Sequence, residues 1–264
     1  MAGSRQSLTI GAQVGYGLLG IAVWLVLWLV VTSAGPYAEN EAFPDPASVG
    51  SAAVEQILNR EFWDALWATL AMAGMGLILA IVVGVPLGLA LGMSAIVRKL
   101  LQPTVEILKP IPGIVILPLL LLIFGPTSTM GLLLVFIGCV WAILIQTYTG
   151  VLSTDPVARL AARGMLLGRW LTLRRVVLPS ATPSIITGIR IATAASLVLA
   201  IGAGLIGGAP GIGQLLFLYQ SFGSGANVFG LIILVGLIGL AINILLSVLE
   251  RRAVPWSIRS EVVG

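Results

Sequence analysis

Six stretches of this sequence, each about 20 residues or more, are apolar without alternation and nearly free of charge: 14–33, 66–92, 105–124, 130–151, 182–206 and 225–249. Such runs are long enough to cross the hydrocarbon of a bilayer. Within hydrocarbon every backbone polar group must find an internal partner, and continuous rather than alternating apolarity selects helices over a lipid-facing barrel. The sequence therefore predicts an all-α integral membrane protein with one transmembrane domain over residues 1–264. Arg5 ahead of the first run gives it a superficial likeness to a signal peptide, but the run exceeds the usual length of a signal-peptide core and is read as a true span.

Composition narrows the chemistry. The chain is 58% hydrophobic and 9% charged, against about a quarter charged in soluble domains. It has no histidine and one cysteine, Cys139, inside an apolar run. Disulfides, histidine-based metal sites and histidine general bases are excluded. An intramembrane enzyme needs positioned acids, bases or nucleophiles, and the spans hold almost none. No catalytic or metal-ligating residue is expected.

The charges are sorted by side. Arg5, Arg98, Lys99, Arg159, Arg163, Arg169, Arg174, Arg175, Arg251, Arg252 and Arg259 fall on one side of the six-span arrangement, 11 of the 14 basic residues. The segment after the first span carries Glu39, Glu41, Asp45, Glu55, Glu61 and Asp64 against Arg60 alone. Basic residues collect in cytoplasmic loops, so both termini and the 152–180 loop are expected in the cytoplasm. Topology and anionic lipid then account for the net charge of +4, without nucleic acid.

Two polar segments carry helical patterns of their own. In the acidic segment Val54, Ile57, Leu58, Phe62 and Leu66 recur at helical spacing, which predicts an amphipathic helix over 52–67 at the outer interface. In the 152–180 loop Asp155-Pro156 suits a helix start, Gly168 can divide two short helices, and Pro179 with Pro183 is expected to end the second. A rigid helix pair held between two spans can fit a cleft on a cytosolic partner. Ala161 and Ala162 would permit close approach, and Arg163, Arg169, Arg174 and Arg175 could pair with acids there. The alternative is that these arginines only fix topology.

That loop, reading Leu160-Ala161-Ala162-Arg163 and later Val176-Val177-Leu178-Pro179, resembles the cytoplasmic signature of binding-protein-dependent ABC importer permeases. The signature begins Glu-Ala-Ala, has Gly six residues after the Glu, and ends Ile-x-Leu-Pro. Residues 103–125, PTVEILKPIPGIVILPLLLLIFG, together with Trp170 and Pro210-Gly211-Ile212-Gly213, resemble the nitrate, sulfonate and taurine subgroup, and the likeness extends over about 66–250. It implies a type I importer permease in a bacterial inner membrane whose loop couples to an ATPase through Leu160, Ala161, Ala162, Arg163, Leu166, Gly168, Trp170, Arg174 and Pro179. It also implies a cytosolic ATPase dimer, a second permease subunit and an extracytoplasmic solute-binding protein. ATP and Mg would be bound by the ATPase; this chain has no G-x-x-x-x-G-K-[ST] and no cofactor is expected on it. The solute suggested is small and often anionic, with selectivity set largely by the binding protein.

The chain departs from the pattern where the signature's Glu is Leu160, its Gly is Leu166, and a Glu often found late in the fifth span is Gly204. Loss of the acid at both interfaces of a homodimer slightly favours pairing with a different permease that keeps it; the alternative is that Leu160 packs into the ATPase cleft and no second kind of permease is present. For the pathway, Pro110, Pro112 and Pro118 break the third span and Gly113 permits close approach, so carbonyls freed there could line a cavity; a packing kink is the alternative. The candidates are Pro112, Gly113, Pro118, Thr193, Ser196 and Gly204. Glu106, Lys109 and Arg190 lie near span ends, where snorkelling explains them, and Gln146, Thr147, Tyr148 and Thr149 mark an interface. A channel or ion-coupled carrier would show intramembrane acids or a repeated half, and neither is present in the sequence.

Overall fold

With no water to satisfy them, apolar runs wind on themselves, and among the described residues every regular element is helical. The structure, a computed structural model, describes residues 10–33 and 42–253; Arg5, Glu39, Glu41 and Arg259 lie outside these. The described chain divides into two compact units. The smaller is drawn from Met1–Asn59 and Leu218–Leu234, the larger from Arg60–Phe217 and Val235–Gly264.

The smaller unit contains α1 (Ile10–Ser33), α2 (Pro46–Leu58) and the start of the last helix, α11 (Gly225–Ala253). Asp45 caps α2 by accepting from the Ala47 and Ser48 amides at 2.9 and 3.1 Å, with Pro46 in the first turn. Hydrogen bonding from Ser48 holds the Asp45 carboxyl below its ordinary range. Gln56 donates to the carbonyl and side-chain oxygens of Asn227 at 2.9 and 3.1 Å. Those bonds turn Val49, Ala52 and Gln56 inward and leave Val54, Ile57 and Leu58 exposed. The helix expected over 52–67 is therefore two elements. It breaks at Asn59, and Arg60 opens the next helix, so Phe62 and Leu66 belong to the following span.

The larger unit is built on α3 (Arg60–Met93), α6 (Ser128–Leu152) and α9 (Leu178–Gly207). Along α3, Gly76, Ala80, Gly84, Gly88 and Gly92 recur every fourth residue and are all buried. A β-carbon on Gly76, Gly84, Gly88 or Gly92 would meet Val135, Ile143, Thr147 or Val151 of α6 at 2.7, 3.1, 2.6 or 2.4 Å. These partners are likewise spaced by four or eight residues. A ridge of missing side chains thus receives a ridge of branched ones, and dispersion over a close backbone approach supplies association that lipid-exposed area cannot. The α6–α9 seam works likewise: a β-carbon on Gly150 would meet Ser184 at 2.7 Å and one on Gly188 would meet Gln146 at 2.8 Å.

The third span, expected over 105–124 and interrupted by its prolines, starts ten residues earlier and is broken at 109–112. α4 (Ala95–Leu108) ends at Lys109, and a 3-10 turn (Gly113–Ile116) leads into α5 (Leu117–Phe124), with an 83° bend between the two halves. Pro110 and Pro112 remove two amide donors in succession and disfavour helix in the residues before them. Among the described residues five helices are long and apolar enough to cross a bilayer; the bent pair counts as a sixth if taken as one broken span. α3, by contrast, runs unbroken through Pro86.

The seam predicts opposite outcomes for two glycines of one helix. Gly88→Ala should cost about 1–3 kcal/mol, because Thr147 and the Leu144 carbonyl would have to shift. Gly74 has open space around it, and Gly74→Ala should stabilise by about 0.4–1 kcal/mol. Thermal unfolding of the purified variants in one detergent measures both.

Candidate functional site

Between α6 and α9 lie α7 (Pro156–Gly164), α8 (Arg169–Thr172) and a π-helical turn (Leu173–Val177). Asp155 caps α7, accepting from the Val157 amide at 2.8 Å with Pro156 in the first turn, as the sequence suggested. Arg159 donates from Nη2 to the Val151 carbonyl near the C-terminal end of α6, which ties the short helix to the span before it. The sequence reading gave Arg159 no role beyond topology; its partner lies in another helix and no local pattern announces it.

α7 ends in a hydrogen-bonded reversal. The Leu166 amide donates to the Arg163 carbonyl at 2.9 Å and the Leu167 amide to the Ala162 carbonyl at 3.0 Å. This is a Schellman closure with Leu166 at the left-handed position. Leu166 has φ +55°, making it the one non-glycine residue with positive φ among the described residues. That conformation costs an L-residue roughly 1–2 kcal/mol. The glycine expected from the signature is thus the residue the backbone asks for, and the chain keeps the turn without it.

Pro179 and Pro183 do not end the second short helix as expected. Residues 169–207 form one continuous helical stretch. The π turn brings the Leu178 amide to the Leu173 carbonyl, shifting the register ahead of Pro179, which then sits in the first turn of α9. Pro183 is carried inside α9. Trp170 and Arg174 are therefore joined to the fifth span without a hinge loop.

The coupling candidates do not share one face. Ala162 is 2% exposed and packs inward, so of the two alanines only Ala161 is open to a partner. Leu160, Arg163, Gly168, Arg174 and Pro179 are exposed. With Val157, Met165, Leu166 and Trp170, Leu160 forms an outward set of large apolar groups, of which Leu166 is 92% exposed.

The pathway candidates scatter. A β-carbon on Gly113 would lie 2.8 Å from the Cα of Gly138, and one on Gly204 would lie 2.9 Å from the Gln214 amide nitrogen. Both glycines therefore permit close helix packing. Ser196 is buried and donates to the Thr193 carbonyl of its own helix at 2.8 Å. Pro112 and Pro118 are exposed at the starts of the 3-10 turn and α5. Thr193 lines a cavity of about 480 Å³, shared between α9 and α11 with Arg190, Leu197, Gly239 and Asn243. At one end Arg190 donates to Glu250 and, at 3.2 Å, to Ser247. Asn243 and Glu250 were not singled out in the sequence, since neither belongs to a motif and only the α9–α11 approach makes them neighbours of Arg190.

A family profile described as "Binding-protein-dependent transport system inner membrane component" matches residues 80–256. The nitrate import permease protein NrtB of Leptolyngbya laminosa is 32% identical over 74% of this chain and 69% of its own length. The taurine transport system permease protein TauC of Escherichia coli K12 is 28% identical over 94% of this chain and 91% of its own. The inward-facing MetNI methionine ABC transporter aligns with TM-score 0.63 over 74% of this chain and 94% of the transporter chain, at 22% identity, and so shares the fold.

Two measurements test the geometry. Leu166→Gly should stabilise the turn by about 1 kcal/mol, read as slower hydrogen exchange at the Leu167 amide. Either Arg190→Glu or Glu250→Arg alone should lower unfolding stability by about 1–2 kcal/mol, and the double reversal should recover most of it.

Proposed function

The chain belongs to the family of binding-protein-dependent transport system inner membrane components, and from that premise we propose that it forms part of the translocation pathway for a small anionic solute. It is a multi-pass inner-membrane permease component of an ABC importer, not an enzyme, and a separate ATPase subunit hydrolyses ATP. The solute class is supported by nitrate and taurine, named for two relatives, both of which carry an oxyacid group. The binding protein outside supplies most of the selectivity.

The observation that carries the mechanism is the loop joining α6 to α9. It presents Val157, Leu160, Met165, Leu166 and Trp170 outward, beside Arg163, Arg169, Arg174 and Arg175. An apolar ridge beside four cations fits a cytosolic ATPase cleft lined with apolar groups and edged with acids. Because residues 169–207 are one helical stretch, displacement of the docked loop passes directly into the fifth span and reorients the pathway in alternating access. Both termini and this loop lie in the cytoplasm in this reading, by the sorting of Lys and Arg. Leucine at 160 can neither complement a helix dipole nor accept from a partner arginine. The complex therefore contains a second, different permease that keeps the acid at this position.

Co-purification with the ATPase, followed by ATP-driven uptake in proteoliposomes, tests the reading. Ala161→Arg, at an exposed position, should reduce transport-linked hydrolysis by roughly tenfold or more, equivalent to about 1.4 kcal/mol of lost docking, while leaving the spans folded. Undiminished coupling in that variant, or uptake by this chain without any ATPase, would refute the proposal.

A further inference from the structure

α4 has no buried residue, although it directly follows α3, a helix long and apolar enough to cross a bilayer. Three of its large aliphatics are strongly exposed: Ile96 at 72%, Leu100 at 71% and Ile107 at 69%. At steps of four and seven they lie on one face of the helix. Arg98, Gln102 and Lys109 lie on the opposite side, with Lys99 and Glu106 along its edge. Gln102 donates to Glu106 at 2.9 Å, and none of Arg98, Lys99 and Lys109 has an acidic partner within ion-pairing distance among the described residues.

We infer that α4 is an in-plane helix that seats its Ile96–Leu100–Ile107 ridge among acyl chains and binds anionic phospholipid headgroups through Arg98, Lys99 and Lys109. Connectivity fixes its position. Only Ser94 separates α4 from α3, and the turn at 109–112 leads into α5 after an 83° bend. Its N-terminal end is tethered to the end of α3 at one bilayer face, and the 83° bend sets it nearly perpendicular to α5, so with α5 directed into the bilayer α4 runs along that face. An amphipathic helix held there lowers its apolar stripe to the acyl boundary and keeps its polar side in water.

Charge selects the lipid. Three unpaired cations and one acid already engaged by Gln102 give the segment a net positive field, and headgroups such as phosphatidylglycerol supply the complement within a Debye length. The inference requires only that the chain sit in a bilayer. It stands or falls separately from the transport reading.

Nitroxide labels test it on the intact importer complex in a Cys139→Ser background. Ile96→Cys, Leu100→Cys, Ile107→Cys and Gln102→Cys variants are reconstituted in phosphatidylcholine vesicles with and without phosphatidylglycerol. Collision with oxygen should dominate at the first three positions and collision with a water-soluble nickel chelate at position 102. Phosphatidylglycerol should deepen the label at 107. High salt, and the Arg98→Gln/Lys99→Gln pair, should each abolish that deepening. Nickel access at all four positions would place the helix in water, and exclusion of both probes from 96, 100 and 107 would place a protein partner over the ridge. A depth at 107 indifferent to phosphatidylglycerol would remove the headgroup site. Each of these results overturns the inference.

Discussion

Close backbone approach between α3, α6 and α9 is the constraint on which the larger unit depends. In a bilayer, exchanging a lipid contact for a helix contact gains little hydrophobic free energy, so association must come from dispersion at short range and from shape. Side chains of ordinary size would hold the axes apart. The step-of-four absence of side chains on α3, facing Val135, Ile143, Thr147 and Val151, removes that obstacle along the C-terminal half of the helix. At the one place where a thiol is buried, Cys139 donates to the Ala192 carbonyl at 3.3 Å, so α6 and α9 meet without an unpaired donor there.

This rigid seam gives the loop after α6 a fixed base. Arg159 ties α7 back to the end of α6, and the π turn fuses α8 to α9. Between the two anchored helices only residues 165–168 change direction, and that reversal is closed by two hydrogen bonds. A strained leucine is tolerated at its centre because the hydrogen bonds and both anchors over-determine the turn. Its side chain is left in solvent, where it adds to the apolar ridge.

The spans were legible because their signal is additive: twenty apolar residues leave no soluble alternative, and the boundaries of α6 and α11 fall within a few residues of expectation. The start of α7 was legible for a different reason, since Asp155 and Pro156 act on their own helix. What failed depended on partners or on register. Pro179 reads as a stop until a π turn ahead of it absorbs the missing donor. The 52–67 helix failed because the Gln56–Asn227 bonds, between residues 171 positions apart, choose the buried face. Ala161 and Ala162 look equivalent in sequence, yet rotation by one residue about the helix buries one and exposes the other. The glycine repeat of α3, Gly84, Gly88 and Gly92 at equal steps, was not singled out in the sequence, because its meaning comes only with the ridge it meets.

Replacement of the signature's acid and glycine by Leu160 and Leu166 changes the kind of docking this loop can support. A carboxylate would fix orientation through a directional, charge-assisted bond. Leucine offers area alone, and apolar contact is indifferent to rotation about its own normal. If the ridge enters an ATPase cleft, its register must therefore be set by Arg163, Arg169, Arg174 and Arg175, which flank it in sequence. Affinity would then reside in the apolar ridge, where salt has little effect, and orientation and encounter rate in the cations, where screening acts within about a Debye length. The two properties, joined in a Glu-bearing loop, are separable in this one, because they reside on different side chains.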